Sequence, residues 1–187
     1  MGRTLPEKPV IFLKPDSSLL KNNKPFFIPE FSRNIHYEIE IVLRICKLGR
    51  SVSEKYAYRY YDQLTLGVDM TARDLQSSLS SAGSPWDISK SFDGAAPVGE
   101  FIPIKEAGDV NNISFRLEKN GVIVQSGNTS RLIYNFDQII SYVSQFFTLK
   151  TGDLIFTGTP SGVGPVNRND RLTGYIGDRR IIDFMIK

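Results

Sequence analysis

Polar and apolar side chains alternate along residues 36–43, and a period of two is typical of a half-buried β-strand. On such a strand His36, Glu38 and Glu40 share one face, while the apolar residues between them pack on the other. Two carboxylates on one face concentrate negative charge, which is costly unless a cation lies between them. A divalent cation is the simplest candidate, and a solvent-facing strand with ordinary surface carboxylates is the alternative.

The rest of the chain alternates short strand signals with a few helix signals. Further strands are predicted at residues 9–15, 25–29, 62–70, 113–118, 122–126, 154–157, 171–176 and 180–186. Helices are predicted over residues 53–61, from 71 to about 82 and from 136 to 147, with Ser53, Thr71 or Asp69, and Asn135 as N-caps. The sum is one α+β domain over residues 1–187, predominantly β, with residues 1–8 as a loosely ordered arm.

Composition narrows the class of protein. The net charge of +3 is small and the basic residues are scattered, which argues against a nucleic-acid-binding protein. The single cysteine, Cys46, excludes an internal disulfide and fits a reducing compartment. No apolar run is long enough to span a bilayer, and the N-terminus lacks the apolar core of a signal peptide. We therefore expect a cytoplasmic protein that does not bind membranes.

A third carboxylate, that of Asp69, stands between a buried strand and the start of a helix. Such corners are well anchored and suit functional sites. Glu38, Glu40 and Asp69 offer only oxygen ligands, which favour Mg²⁺, Mn²⁺ or Ca²⁺ over zinc. Three protein oxygens leave about three positions of a six-coordinate ion for water or substrate. The sequence thus indicates an open metal site, followed much later by a glycine-rich loop at residues 158–165.

Five segments, in this order and over nearly the whole chain, resemble the fumarylacetoacetate hydrolase family. They are Phe-Leu-Lys-Pro at 12–15, His-Tyr-Glu-Ile-Glu at 36–40, Asp-Met-Thr-Ala-Arg-Asp-Leu-Gln at 69–76, Lys-Ser-Phe-Asp at 90–93 and Thr-Gly-Thr-Pro-Ser-Gly-Val-Gly-Pro at 157–165. The chain looks most similar to the single-domain acylpyruvate hydrolase and oxaloacetate decarboxylase branch. This resemblance implies a mixed β-sheet rolled into a barrel-like core, a few short helices and a homodimer.

The resemblance also implies the functional residues. Glu38, Glu40 and Asp69 would hold Mg²⁺ or Mn²⁺, with Ca²⁺ as a further possibility. The family's substrate contacts fall on four residues, Arg73, Gln76, Lys90 and Thr159. Of these, Lys90 and Arg73 are the expected catalytic residues, because they can balance negative charge on a 2-oxo acid. Taken alone, Arg73 could simply pair with Asp74 or a neighbouring carboxylate, and Lys90 could be solvated.

The implied activity is that of a metal-dependent hydrolase or lyase. It would cleave a C–C bond in a 2-oxo acid, such as an acylpyruvate, a fumarylacetoacetate-like diketo acid or oxaloacetate, through a metal-stabilised enolate. One alternative is the isomerase or decarboxylase activity on 2-hydroxyhepta-2,4-diene-1,7-dioate that also occurs in the family. The alternative from a different functional class is a purely structural, β-rich interaction domain whose carboxylates are incidental.

The chain departs from the family pattern at its N-terminus. Family members carry a lid helix there, with a His and a Glu that act as the base, and residues 1–5 are too few to hold it. A lid-less homologue that binds a metal and a dicarboxylate with little turnover is therefore a further alternative. The only histidine of the sequence is His36, and hydrogen bonding within the sheet is its expected role.

Overall fold

The structure, a computed structural model, describes residues 8–187, so the predicted N-terminal arm lies outside the described residues except for Lys8. The strands are β1 (Leu19–Leu20), β2 (Ile35–Tyr37), β3 (Ile39–Ile45), β4 (Tyr61–Val68), β5 (Thr71–Ala72), β6 (Ala96–Pro97), β7 (Ile102–Pro103), β8 (Ser114–Lys119), β9 (Val122–Asn128), β10 (Leu154–Phe156), β11 (Gly164–Pro165), β12 (Arg171–Ile176) and β13 (Arg179–Met185). The α-helices are α1 (Arg73–Ser81) and α2 (Phe136–Phe146). Short 3₁₀ helices cover Asp16–Ser18, Glu54–Arg59, Asp87–Ser89, Ile104–Glu106 and Thr129–Arg131.

The strands of residues 8–187 form four sheets. Three are antiparallel, with strand orders β10-β3-β4-β7, β11-β2-β5 and β13-β12-β8-β9, while β1 and β6 pair in parallel. The predicted α+β, predominantly β class is confirmed. The barrel-like core is not confirmed, because a barrel requires the first and last strands of a sheet to pair, and none of these four sheets closes in this way.

The chain changes sheets at Glu38. Strand β2 pairs with β5 and β11, whereas β3, which starts one residue after Glu38, pairs with β4 and β10. The single strand predicted from residue 36 to about 48 is therefore two strands, and the second ends at Ile45. The Asp69 N–H donates to the Glu38 carbonyl at 2.8 Å, which joins the break between β4 and β5 to the break between β2 and β3. Two of the candidate ligands thus lie side by side where the two sheets meet.

The core beneath this junction is formed by the inner faces of β3, β4, β12 and β13. Ile39 and Leu66 are fully buried there, and burial of each such side chain stabilises the fold by about 1.5–3 kcal/mol. A Cβ at Gly174 would lie 2.7 Å from the Ile182 side chain and 3.1 Å from that of Leu66. Only glycine allows this close approach, which packs the β12 backbone directly against the strands that carry the site.

Several element boundaries differ from the prediction. Residues 9–15 form no strand, because prolines at both ends remove backbone donors, and the expected helix at 53–61 is a 3₁₀ helix over Glu54–Arg59 without a side-chain cap. Neither Thr71 nor Asp69 caps α1, which begins at Arg73. Thr71 belongs instead to β5, and its hydroxyl donates to the Asp69 carbonyl at 3.2 Å.

The elements whose sequence signals rest on a specific backbone chemistry were predicted correctly. Asn120 and Gly121 have φ of 55° and 80°, the positive values that a tight β8–β9 hairpin requires. Asn135 caps α2 through a capping box, in which its side chain accepts from the Gln138 N–H at 2.8 Å and its N–H donates back to the Gln138 side chain at 2.9 Å. Within residues 8–187, no helix is both long enough and apolar enough to cross a membrane.

Candidate metal centre and substrate site

Three buried carboxylates, those of Glu38, Glu40 and Asp69, meet at the junction of the two sheets. One oxygen of each lies within 4.8 Å of the others. The residues are only 8, 5 and 1% exposed, although ionised carboxylates rarely lie in the interior without a cation. The structure therefore brings the three predicted metal ligands together, and their all-oxygen donor set fits a hard divalent cation such as Mg²⁺ or Mn²⁺.

Lys90 lies in the middle of this cluster. It directly follows the 3₁₀ helix Asp87–Ser89, and its Nζ donates to Glu38 Oε2 at 2.8 Å and to Asp69 Oδ2 at 2.6 Å. Lys90 is 3% exposed, so it is not a solvated surface lysine. Burial lowers the pKa of Lys90, but the charges of Asp69 and Glu38 outweigh burial and raise it above its ordinary value. The ammonium form is thus the one that the site stabilises.

Arg73 and Gln76 lie on the first turn of α1 and face the same cluster. Arg73 Nη2 donates to Glu38 Oε1 and Arg73 Nη1 to Gln76 Oε1. Asp74 points elsewhere and accepts from the Ser32 hydroxyl at 2.6 Å, so of the two alternative pairings of Arg73 the one with Asp74 is not formed and the one with a neighbouring carboxylate, Glu38, is. Burial raises the pKa of Glu38, but Lys90 and Arg73 together hold it below its usual range.

Glu40 is held differently from the other two carboxylates. Its Oε2 accepts from the Gly158 N–H at 2.6 Å, which ties the glycine-rich loop to β3. Burial, together with the neighbouring charge of Asp69, raises the pKa of Glu40 to about 8, and the bond from Gly158 opposes this shift. Glu40 is therefore the carboxylate that would gain most from a cation placed among the three.

The loop after β10 carries Thr159, one residue after the Gly158 that bonds Glu40. Gly158, which precedes Thr159, has φ of +102°, a conformation that favours glycine. Gly162 has φ of +101°, and a Cβ there would lie 2.4 Å from the Val124 carbonyl, so the loop packs closely on β9. Both glycines therefore shape a loop that presents the half-buried Thr159 beside Glu40.

Two residues of the site carry no role in the sequence-based prediction. Lys14 is part of the Phe-Leu-Lys-Pro segment, and its Nζ lies 2.8 Å from Asp69 Oδ1. Gln125 is 2% exposed on β9, and its amide contacts Thr159 and the backbone of Ile39. The available signals were a lysine that follows four apolar residues and an uncharged polar residue that follows three apolar residues in a strand. Neither signal says which partner the side chain meets.

His36 lies beside the cluster without joining it. Its Nε2 is 2.9 Å from Asn34 Oδ1, while Nδ1 is buried and has no hydrogen-bond partner among the residues described. Burial and the charge of Arg73 lower the pKa of His36, which favours the neutral ring. A local hydrogen bond at the start of β2 is therefore the contact that His36 makes.

The formal charges of the cluster balance when every one of its side chains is counted as ionised. The three carboxylates are contacted or approached by three cationic side chains, those of Lys14, Arg73 and Lys90. A divalent cation bound by the carboxylates would leave the site with two excess positive charges. A dianionic ligand would neutralise this excess, so the arrangement suits a small dicarboxylate.

A fold of short antiparallel sheets around an all-oxygen carboxylate cluster defines a candidate divalent-metal protein for small anionic ligands. The chain belongs to the fumarylacetoacetate hydrolase family, because residues 1–184 match the family model described as fumarylacetoacetate (FAA) hydrolase C-terminal. The family predicted from the motifs is thus confirmed.

Similar proteins carry names that agree with this family. The chain is 42% identical over 176 residues to the mitochondrial oxaloacetate tautomerase FAHD1 of Bos taurus, covering 94% of this chain and 80% of that protein. It is 44% identical over 167 residues to the mitochondrial oxaloacetate decarboxylase of Dictyostelium discoideum, covering 89% and 77%. The crystal structure of fumarylpyruvate hydrolase from Pseudomonas aeruginosa, in complex with Mn²⁺ and pyruvate, has a TM-score of 0.91 and 35% identity, covering 96% of this chain and 79% of that chain.

Proposed function

We propose that this protein is a Mg²⁺- or Mn²⁺-dependent enzyme that acts on oxaloacetate, or on a closely similar 2-oxo diacid, through the enolate of that acid. The observation that carries the proposal is the buried trio of Glu38, Glu40 and Asp69 with Lys90 bonded to two of them. The names of the relatives from Bos taurus and Dictyostelium discoideum support oxaloacetate as the substrate. The charge balance of the site supports a dianion.

Glu38, Glu40 and Asp69 would hold the metal, and the donor set is consistent with the Mn²⁺ named for the Pseudomonas aeruginosa neighbour. The ion would supply Lewis-acid polarisation of the 2-oxo group. A homodimer and a cytoplasmic location remain predictions.

The side chains of this chain supply charge and orientation. The Lys90 ammonium lies among the carboxylates, where it can stabilise the negative oxygen of an enolate. Arg73, at the rim of the cluster, can pair with a substrate carboxylate, and Gln76 fixes the Arg73 guanidinium by accepting its hydrogen bond. The half-buried Thr159 can add a neutral hydrogen bond.

Tautomerisation is the reaction that we propose first. It moves one proton between the oxygen on C2 and carbon C3 of oxaloacetate, and besides the groups that stabilise the enolate it needs a water molecule or a side chain that takes the proton from one atom and returns it to the other. Decarboxylation passes through a related enolate, that of pyruvate: the C3–C4 bond breaks, its electron pair forms the C2–C3 double bond of the enolate as carbon dioxide leaves, and C3 then takes a proton from water. Hydrolysis of an acylpyruvate is the second candidate, favoured by the neighbour named fumarylpyruvate hydrolase, and it additionally needs an activated water.

The test compares three reactions on one preparation with Mg²⁺. Oxaloacetate is supplied as its enol and the loss of enol absorbance is followed, while pyruvate formation reports decarboxylation and loss of acetylpyruvate reports hydrolysis. Loss of enol that is faster than in buffer without protein, and that is not matched by formation of pyruvate, supports the tautomerase. Pyruvate formed at the same rate assigns the decarboxylase, and acetylpyruvate cleavage alone assigns the hydrolase.

Matched variants connect any rate to the site. Glu40→Gln is expected to abolish the activity, whereas Glu118→Gln, on β8 beside Arg116, is expected to retain it. Chelation with EDTA should have the effect of Glu40→Gln. Absence of all three reactions, together with no Mg²⁺-dependent binding of oxalate, would overturn the proposed function and favour a structural β-rich domain.

A further inference from the structure

The amide of Gln125 joins three segments of the site. Its Oε1 accepts from the Ile39 N–H at 2.9 Å, between Glu38 and Glu40 in the chain. Its Nε2 donates to Thr159 Oγ1 at 2.9 Å and to the Pro160 carbonyl at 2.9 Å. Gln125 is 2% exposed, so these bonds form away from water. Strand β3, strand β9 and the glycine-rich loop are thus connected through one side chain.

The orientation of this amide is determined by its partners. The Ile39 N–H can only donate and the Pro160 carbonyl can only accept. A flipped amide would place donor against donor at Ile39 and acceptor against acceptor at Pro160, leaving buried polar groups unpaired. The NH₂ group of Gln125 therefore faces the loop, and both of its hydrogens are used there.

This orientation determines how Thr159 can bond. Because Thr159 Oγ1 accepts from Gln125, the hydroxyl proton is left for another partner. Thr159 is half-buried, and its neighbour Gly158 bonds Glu40, so Thr159 belongs to the loop that contacts the carboxylate cluster. A ligand atom that accepts a hydrogen bond pairs the hydroxyl proton, whereas a donor could use only the second lone pair of Oγ1 and would leave that proton unpaired.

We infer that Gln125 is a positioning residue that makes Thr159 a hydrogen-bond donor, and that this side of the site is selective for a carboxylate oxygen of the substrate. The inference rests on the proposed function, since it assigns one contact of the proposed 2-oxo diacid. An ammonium or an amide NH₂ placed there could use only the remaining lone pair of Thr159 Oγ1 and would leave the hydroxyl proton unpaired. The site thus discriminates by hydrogen-bond polarity in addition to charge.

The substitution Gln125→Glu reverses the polarity and keeps the length of the side chain. One carboxylate oxygen can still accept from the Ile39 N–H, but the other faces the Pro160 carbonyl and attracts the proton of Thr159. Loss of one hydrogen bond to a charged ligand predicts Mg²⁺-dependent oxalate binding about 10- to 100-fold weaker than that of the wild type. Thr159→Val is expected to weaken binding by a similar factor, whereas Thr159→Ser, which keeps the hydroxyl, is expected to bind normally.

A double-mutant cycle separates this role from the new negative charge and from a general loss of packing. Oxalate binding with Mg²⁺ is measured by calorimetry for the wild type, Gln125→Glu, Thr159→Val and the double variant. If Gln125 acts through Thr159, the double variant binds about as well as the weaker single variant. If the new charge repels the ligand directly, the two losses multiply. If Gln125→Glu fails to fold, the same cycle is run with the uncharged Gln125→Met.

The outcomes also separate this inference from the proposed function. Wild-type protein that binds no oxalate with Mg²⁺ overturns both. Wild-type binding with an unchanged Gln125→Glu variant, or with multiplying losses, overturns the role of Gln125 and leaves the proposed function standing. Coupled losses, with normal binding by Thr159→Ser, support the inference. Amide exchange of Ile39 provides a readout without metal, because its protection should persist in Gln125→Glu and decrease in Gln125→Met.

Discussion

The ion pair between Lys14 and Asp69 provides a test of how the carboxylate cluster is stabilised without metal. The two side chains are 11 and 2% exposed, and their charged atoms lie 2.8 Å apart. Lys14 Nζ also donates to the backbone carbonyl of Lys90 and, at 3.2 Å, to that of Ala95. Lys14→Met removes the charge and these bonds while it keeps an unbranched side chain. We expect this substitution to destabilise the fold.

The magnitude follows from the partners that remain. Removing one member of a buried ion pair costs about 3–5 kcal/mol. Asp69 retains Lys90 at 2.6 Å, and burial lowers the pKa of Lys14, which means that the lysine itself is costly to desolvate. Both facts reduce the loss, to about 2–3 kcal/mol in the free energy of unfolding. For a chain of 187 residues this corresponds to a decrease in Tm of about 4–12 °C.

The assay is thermal and urea unfolding at pH 7, in EDTA and in saturating Mg²⁺, with the exposed Lys21→Met as the matched control. The loss should be smaller with Mg²⁺, because the ion supplies positive charge beside Asp69 and stabilises the folded state in proportion to its binding. Equal midpoints for Lys14→Met and Lys21→Met in EDTA would refute the reasoning. The reasoning would also be refuted if the protein binds Mg²⁺ but the loss of stability in Lys14→Met is the same with and without the ion.

Three further predictions concern the site and the folded state. Glu38→Gln should weaken Mg²⁺ binding by about tenfold or more in calorimetry, and unchanged affinity would exclude Glu38 as a ligand. Gly162→Ala should cost about 1–3 kcal/mol more in urea unfolding than Gly108→Ala, because both have positive φ but only Gly162 meets a neighbouring backbone. Hydrogen bonds from Arg171 lower the pKa of Asp183, so their stabilisation is fully present above the unfolded pKa of about 4 and is lost as pH falls through the lower pKa of the folded state. The unfolding midpoints of wild type and Arg171→Gln should therefore differ at pH 7 and converge as the pH falls below the folded-state pKa of Asp183; a constant difference would contradict this assignment.

Local chemistry explains which parts of the fold were predictable. The hairpin at Asn120–Gly121 and the Asn135 capping box follow from backbone preferences that hold in any fold. The break at Glu38 does not follow from such local preferences. Alternation continues through residues 36–43, and nothing local marks the change of partner strand. The same limit applies to the barrel-like core, whose closure depends on which edge strands pair.

The residues of the candidate site likewise fall into those that the sequence could identify and those that only the structure revealed. The sequence by itself identified the three carboxylates as candidate ligands, because alternation predicted one face for Glu38 and Glu40 and a predicted strand end carried Asp69. The family motifs added Arg73, Gln76, Lys90 and Thr159. Only the tertiary structure decided that Lys14 approaches Asp69 and that Gln125 orients Thr159. These contacts join residues 55 and 34 positions apart in the chain, and such pairs are set by the packing of whole elements, which no local pattern records.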